Sequence, residues 1–227
     1  MATDGSRLLW TSAIVASAAL AIVGAEIADL RGLHYVFKPL TTLLILAMAL
    51  RLSPAGPAGY RRPIVIGLLL STLGDVFLML PFDGFVFGLG SFLLAHTAYL
   101  VALRKRGGWW RVRWPLLAYA VVASLVLAWL WPGLPSELKA AVIVYVVALA
   151  GMAALAASVW RERGGNAARI AAIGGAFFVC SDALLALDRF SAPLPGASLW
   201  VLTTYWIAQW CIARSVGEEP VSARERS

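Results

Sequence analysis

The sequence has few charged residues and few of the side chains that build metal or disulfide sites. Only 14% of its 227 residues are charged, whereas 61% are hydrophobic, and it contains two cysteines and two histidines. A soluble domain or a disordered chain needs a much more polar composition. Two cysteines inside apolar runs supply neither a disulfide scaffold nor a multi-thiolate metal site. A soluble domain, a disordered chain, a disulfide scaffold and a multi-thiolate metal protein are therefore excluded.

Acidic residues are scarcer than basic ones, which gives the chain a formal net charge of +7. The basic residues lie at the ends of apolar segments rather than in one patch. Anionic lipid headgroups and the rules of membrane insertion account for that arrangement. We therefore expect membrane lipids, and no nucleic acid, as partners.

Long apolar runs dominate what the sequence does contain. Windows of about 20 residues, the length that spans a bilayer, predict an all-α bundle of eight transmembrane helices in a single domain over 1–227. We expect the first run to be a retained helix rather than a cleaved signal peptide. Pro39, Pro63 and Pro115 are expected near helix starts, so that no proline lies inside a helix. The predicted spans are 8–27, 38–52, 63–80, 85–104, 114–131, 137–160, 169–188 and 197–214.

The distribution of lysine and arginine predicts the orientation of this bundle. With the N-terminus inside, 15 of the 19 basic residues lie on the cytoplasmic side, and four lie opposite them. By the positive-inside rule, both termini are expected in the cytoplasm, with 1–7 and 215–227 as tails. We expect a multi-pass protein of a bacterial inner membrane. The four basic residues on the other side are Arg31, Lys38, Lys139 and Arg189.

A short internal similarity relates the two halves of the chain. Residues 74–78 (GDVFL) resemble 181–185 (SDALL), and 97–99 (TAY) resemble 203–205 (TTY). The third and seventh spans run in the same direction. A weak parallel four-plus-four repeat would therefore carry Asp75 and Asp182 to the same depth.

Two aspartates are the clearest candidates for function because they lie inside apolar spans. An ionisable side chain in hydrocarbon costs at least ~2.5 kcal/mol, so such residues usually face the bundle interior and have a role. Asp75 and Asp182 are each expected about six residues before the outer end of a helix. Other polar residues on the same side could line one outward-facing cavity with them: Glu26, Asp29, Lys38, Asp83 and Asp188.

Two further pairs of side chains are expected to face such a cavity. His96 and Tyr99 are three residues apart and therefore share a helical face, and Tyr205 and Gln209 offer a similar face on the last span. Each of these side chains has a structural alternative as an interhelical hydrogen-bonding residue. Lys38 could form a structural ion pair with an aspartate, or extend from a helix end to the headgroups. Asp29, Asp83 and Asp188 are expected to be solvated loop or capping residues.

The side chains present restrict the chemistry. Zinc hydrolysis requires about three ligands, usually histidines, and the chain has two histidines, so we expect no metal and no cofactor, with a cation held by carboxylates alone as the open alternative. Ser91 and Ser181 lack the context of a serine nucleophile. Two carboxylates in a partly desolvated site, one protonated and one ionised, form a general acid and base. Such a pair suits reactions through an oxocarbenium-like cation, including glycoside hydrolysis and the cleavage of enol ethers.

Four segments of the sequence resemble the YhhN/TMEM86 family of lysoplasmalogenases. They are Lys38-Pro39, residues 71–78 (STLGDVFL), residues 95–99 (AHTAY) and Ser181-Asp182. The resemblance implies an eight-span membrane hydrolase that cleaves the vinyl ether of lysoplasmalogen, a lysophospholipid, to a fatty aldehyde and a glycerophospho-ethanolamine or glycerophospho-choline. It implicates Lys38, Asp75, His96, Tyr99 and Asp182.

We therefore expect Asp75 to protonate the vinyl carbon distal to the ether oxygen, and Asp182 to act as the base. Lys38 is expected to hold the lipid phosphate, while His96 and Tyr99 orient a carboxylate or the water. Glu26 and Tyr205 are further candidates to bind or orient the substrate. Two other functions stay open. One is a proton-coupled transporter or channel for a small polar or lipidic solute, in which the same acids relay protons, and the other is a lipid-binding scaffold without turnover.

Overall fold

A computed structural model describes residues 4–54, 56–107 and 112–217, and it confirms the all-α prediction. Side chains are described from residue 8 onward. The predicted tails lie partly outside these ranges, because residues 1–3 and 218–227 are not described. The described residues form eight α-helices: α1 (Asp4–Glu26), α2 (Arg31–Arg51), α3 (Arg61–Met79), α4 (Phe85–Arg106), α5 (Trp114–Leu130), α6 (Ser136–Arg163), α7 (Asn166–Phe190) and α8 (Ala197–Arg214).

Seven helices in the described part of the chain, α1 to α7, are long and apolar enough to cross a membrane. The chain is therefore a multi-pass integral membrane protein. α8 is more polar, since Gln209 lies within it and Arg214 ends it. It packs against α7 and α2, and buries Tyr205, Trp206 and Gln209. Tyr205, Trp206 and Gln209 thus face other helices, whereas Thr203 is exposed.

The helices form a bundle in which α5 is the most peripheral. The largest contacts join α3 to α4, α7 to α8 and α1 to α2, and α6 contacts α4, α5 and α7. α8 also reaches α1 and α2, which closes the bundle. Only Pro115 and Leu130 of α5 are buried. The cytoplasmic placement of the termini and the internal repeat remain predictions.

α2 begins seven residues earlier than predicted, and two expectations about it were wrong. Pro39 lies inside this helix, so the expectation that no helix interior contains a proline was wrong. The missing N–H and the ring of Pro39 leave the carbonyl of residue 35 without its usual helical partner. The helix nevertheless continues to Arg51. Lys38 is consequently a buried residue of a helix interior, with 7% of its surface exposed, and not a residue at a helix start.

The depths of the two aspartates also differ from the prediction. Asp75 lies four residues before the end of α3, and Asp182 lies eight residues before the end of α7. The predicted and observed ends of α7 differ because hydropathy marks only the apolar stretch of the sequence, whereas the backbone stays helical through Asp188 and Arg189.

Gly67 allows α3 and α4 to approach closely, and this contact gives a first testable prediction. A Cβ at Gly67 would overlap the ring of Tyr99, which is fully buried. Overpacking of this kind costs typically 1–3 kcal/mol, so we expect Gly67→Ala to lower the free energy of unfolding by about 2 kcal/mol. Thermal unfolding in detergent measures the effect.

Gly90→Ala in α4 is the matched control, because a Cβ there meets nothing within 4 Å. We expect its melting temperature to equal or exceed that of the wild type. Equal melting temperatures for Gly67→Ala and Gly90→Ala would contradict the close approach of the two helices.

Candidate active site

Asp75 lies in a buried polar group formed by α2, α3 and α8. Its Oδ2 accepts hydrogen bonds from the Thr42 hydroxyl at 2.7 Å and from the Tyr205 hydroxyl at 2.9 Å. Lys38 lies close enough for its charge to interact with the carboxylate. We call Asp75, Lys38, Thr42 and Tyr205 the Asp75 cluster. Lys38 and Thr42 reach it together because residues four apart share one face of a helix.

Asp182 lies in a second group, formed by α4, α6 and α7. The Tyr145 hydroxyl donates a hydrogen bond of 2.5 Å to Asp182 Oδ2. His96 Nε2 lies 3.0 Å from the Tyr145 oxygen and 3.5 Å from Asp182 Oδ2. The single hydroxyl hydrogen of Tyr145 is used on Asp182, so the network assigns the His96 proton to Nε2 as a donor. We call Asp182, Tyr145 and His96 the Asp182 cluster.

Aromatic rings separate the two clusters. The Phe178 ring lies 4.8 Å from that of His96 and 5.7 Å from that of Tyr205, between ring centroids. Phe92 lies edge-on to Tyr205 at 5.8 Å. The structure thus brings Asp75 together with Lys38 and Tyr205, and Asp182 together with His96. The two clusters are neighbours that meet across these rings.

Tyr99 and Gln209 form a third contact, which links α4 to α8. The Tyr99 hydroxyl donates a 2.7 Å hydrogen bond to Gln209 Oε1 and lies 3.4 Å from the Ser71 hydroxyl. Tyr99 and Gln209 have no exposed surface. Although they share a helical face, His96 and Tyr99 therefore have different hydrogen-bond partners.

The remaining predicted cavity residues lie away from both clusters. Glu26 and Asp29 are exposed near the junction of α1 and α2. Asp83 is exposed and pairs with Arg189 at 2.9 Å. Asp188 Oδ1 accepts the backbone N–H of Leu194 at 2.8 Å. These acids are on the surface or in capping positions, rather than around one common cavity with Asp75.

An apolar cavity of about 90 Å³ opens between α4, α5, α6 and α7, beside the Asp182 cluster. Among the described residues that line it, Asp182 and Tyr145 are the polar ones. The Asp182 side chain keeps 16% of its surface exposed. Asp75 does not line the cavity, because Phe92 forms the wall on that side and Tyr205 packs behind Phe92. Of the two aspartates, Asp182 is therefore the one that faces this cavity.

Sequence reasoning missed Thr42 and Tyr145. Thr42 follows Lys38 by one helical turn, and this spacing is a signal that could have identified it. Tyr145 lies among valines in α6, where a tyrosine gives no such signal. Among the residues that the structure describes, no three His, Cys, Asp or Glu side chains come close enough together to hold a metal ion.

Comparison with known proteins defines the class. The YhhN family model matches residues 33–216, and the chain therefore belongs to the YhhN family. Both clusters fall within the matched range, whereas Glu26 lies outside it.

Several curated proteins are similar to this chain over most of its length. The pig protein "Lysoplasmalogenase TMEM86B" is 36% identical over 184 residues, which cover 78% of this chain and 73% of the pig protein. The human protein "Lysoplasmalogenase TMEM86A" is 35% identical over 196 residues, 79% of this chain and 75% of the human one. "Lysoplasmalogenase" from Mycobacterium bovis is 34% identical over 184 residues, 74% of this chain and 64% of the mycobacterial one. No solved structure matches the chain significantly.

Proposed function

We propose that this protein is a membrane lysoplasmalogenase, which hydrolyses the vinyl ether of a lysoplasmalogen to a fatty aldehyde and a glycerophospho-ethanolamine or glycerophospho-choline. One observation carries the proposal: a carboxyl group that accepts a hydrogen bond from Tyr145 lines an apolar cavity in a chain similar to proteins that are named lysoplasmalogenases. The cavity suits the alkenyl chain, and the carboxyl group suits the acid-labile bond. The transporter alternative is not favoured by these relatives.

The reaction begins with transfer of a proton from the Asp182 carboxyl group to the vinyl carbon distal to the ether oxygen. The double-bond electrons form the new C–H bond, and the positive charge is shared between the neighbouring carbon and the ether oxygen. Tyr145 is placed to donate a hydrogen bond to the carboxylate that Asp182 becomes, and His96 in turn donates to the Tyr145 oxygen. Donors that are already oriented toward developing charge lower the barrier without reorganisation.

Hydrolysis is completed by water. A water molecule adds to the oxocarbenium carbon, and the Asp182 carboxylate accepts the proton that this water releases. The hemiacetal then collapses: protonated Asp182 gives its proton to the glycerol oxygen as the bond from carbon to that oxygen breaks, and the hemiacetal hydroxyl returns a proton to Asp182 as the aldehyde C=O forms. Asp182 thus acts first as acid and then as base, as one residue can when the two proton transfers follow each other.

Asp75 belongs to the catalytic machinery as a residue that acts through others. It fixes the Tyr205 hydroxyl, and the Tyr205 ring packs against Phe92 and Phe178, which separate the cavity from the Asp75 cluster. Lys38 supplies a positive charge that interacts with Asp75. Tyr99 joins α4 to α8 through its hydrogen bond to Gln209. These side chains orient the wall that holds the substrate against Asp182.

The test follows aldehyde release by purified protein in lipid vesicles. We expect product from 1-alkenyl lysophosphatidylethanolamine and none from the matched 1-alkyl ether, because the saturated ether cannot form the cation by protonation at carbon. In D₂O the aldehyde should carry one deuterium on its α-carbon, and in H₂¹⁸O the label should enter the aldehyde rather than glycerol. Undeuterated aldehyde incubated with protein in D₂O controls for exchange.

Two results would contradict this proposal. Cleavage of both ethers at similar rates would remove carbon protonation from the mechanism. Proton-coupled uptake of a solute, without any aldehyde, would favour transport instead.

A further inference from the structure

Arg189 lies at the mouth of the apolar cavity. The central carbon of its guanidinium group is 4.1 Å from the Phe85 ring centroid and 5.7 Å from that of Phe190. Both of these rings line the cavity. Arg189 is thus a charged residue in contact with two aromatic rings that line the space we assign to the alkenyl chain.

The guanidinium group of Arg189 uses only part of its N–H donors in hydrogen bonds to the described residues. Its Nη2 atom donates to both oxygens of Asp83, at 2.9 and 3.1 Å. Within the described part of the chain, Nε and Nη1 make no hydrogen bond to a side chain or to the backbone. The ion pair is exposed, with 38% of the arginine and 75% of the aspartate side chain accessible. Exposed pairs of this kind contribute little stability, so an incoming anion can compete with Asp83.

The spacing along α7 matches a lysophospholipid. Arg189 follows Asp182 by seven residues, which is two helical turns, or about 10 Å along the axis. The two side chains therefore lie on nearly the same face of α7. Seven covalent bonds separate the distal vinyl carbon of a lysoplasmalogen from its phosphorus, roughly 9 Å when extended, given bond lengths near 1.5 Å. A substrate with its vinyl group at Asp182 can therefore place its phosphate at Arg189.

We propose that Arg189 binds the phosphodiester of the lysophospholipid substrate and that Asp83 holds the guanidinium group in place until the lipid binds. This inference rests on the proposed function. A planar guanidinium group with parallel N–H donors suits phosphate oxygens. Lys38, the residue expected from the sequence to hold the phosphate, is buried in the Asp75 cluster on α2, and the described lining of the cavity includes no residue of α2.

The test compares two substrates that share the alkenyl chain: 1-alkenyl lysophosphatidylethanolamine and 1-alkenylglycerol, which has no phosphate. For Arg189→Gln we expect the ratio of kcat/KM values, phospholipid over alkenylglycerol, to fall at least tenfold, mainly through a higher KM for the phospholipid. Arg189→Lys should recover part of this loss as a point charge. The same comparison is made in an Asp83→Asn background, so that an unpaired Asp83 cannot repel the phosphate.

Arg31→Gln is the matched control, since it removes the same charge from an exposed position at the start of α2. The ratio should not change in this variant. An equal loss of kcat/KM for both substrates in Arg189→Gln, or an unchanged ratio in the Asp83→Asn background, would overturn the phosphate role of Arg189. Neither result would contradict the proposed hydrolase activity. Failure of the wild-type protein to cleave either substrate would instead refute the proposed function.

Discussion

Asp182→Asn should lower kcat/KM for aldehyde release from 1-alkenyl lysophosphatidylethanolamine by about 100-fold or more, the contribution expected of a general acid and base. The amide keeps the size of the side chain and can still accept the Tyr145 hydrogen bond, but it has no acidic proton to transfer. The loss should fall on kcat, because the apolar cavity that binds the chain is unchanged. Steady-state kinetics with the purified variant in vesicles measure both constants.

Asp188→Asn is the control on the same helix. Asp188 lies six residues, or about 1.7 turns, beyond Asp182, and its oxygen accepts the Leu194 N–H, which an asparagine oxygen can also do. We expect this variant to retain wild-type kinetics. Tyr145→Phe should lose less activity than Asp182→Asn, since it removes a hydrogen-bond donor to the carboxylate but leaves the acidic group itself in place. A folded Asp182→Asn variant with normal turnover would remove Asp182 from the mechanism.

Asp75→Asn should destabilise the protein by about 3 kcal/mol, because it removes a buried carboxylate that interacts electrostatically with Lys38 and accepts hydrogen bonds from the Thr42 and Tyr205 hydroxyls. Asp75 is 1% exposed and Lys38 is 7% exposed, so water cannot replace the lost carboxylate. Breaking one side of a buried ion pair typically costs 3–5 kcal/mol, whereas replacing both sides by uncharged groups costs far less. Thermal or denaturant unfolding in a fixed detergent measures the difference.

The double variant Lys38→Met with Asp75→Asn provides the decisive comparison. We expect it to be clearly more stable than Asp75→Asn alone, since no buried charge then remains in the cluster. Its aldehyde release should stay low, because the Asp75 carboxylate that fixes Tyr205 is still missing. Equal stability of the single and double variants would contradict a charge interaction between Lys38 and Asp75.

Hydropathy predicted most of the fold, since every one of the eight predicted spans corresponds to a helix. The largest error, the start of α2, has a physical cause. A window based on transfer energies stops at His34 and Lys38, whereas the backbone remains helical around them because Lys38 is buried beside Asp75 and His34 Nδ1 contacts the Ala21 carbonyl oxygen at 3.0 Å. Tertiary partners that sit on other helices cannot be read from a local window.

The candidate site was predicted only in part. An aspartate inside an apolar run is a strong signal, and both such residues lie in polar clusters. Their partners are far away in the sequence: Tyr205 is 130 residues from Asp75, and Tyr145 is 37 residues from Asp182. The expectation that both aspartates line one cavity required α3 and α7 to turn these side chains toward the same space in the bundle, which depends on the order of the helices around it. That order comes from packing, and it sets Phe92 and Phe178 between the two acids.

In the proposed reaction, the peripheral position of α5 determines where the two products go. This helix forms one wall of the cavity yet turns most of its side chains to lipid. A long-chain aldehyde released beside it diffuses laterally into the bilayer, while the phosphorylated glycerol leaves for water past the rim of the cavity. Hydrolysis is therefore drawn forward by partition of its products between two phases. Turnover should follow the mole fraction of substrate in the membrane rather than its bulk concentration.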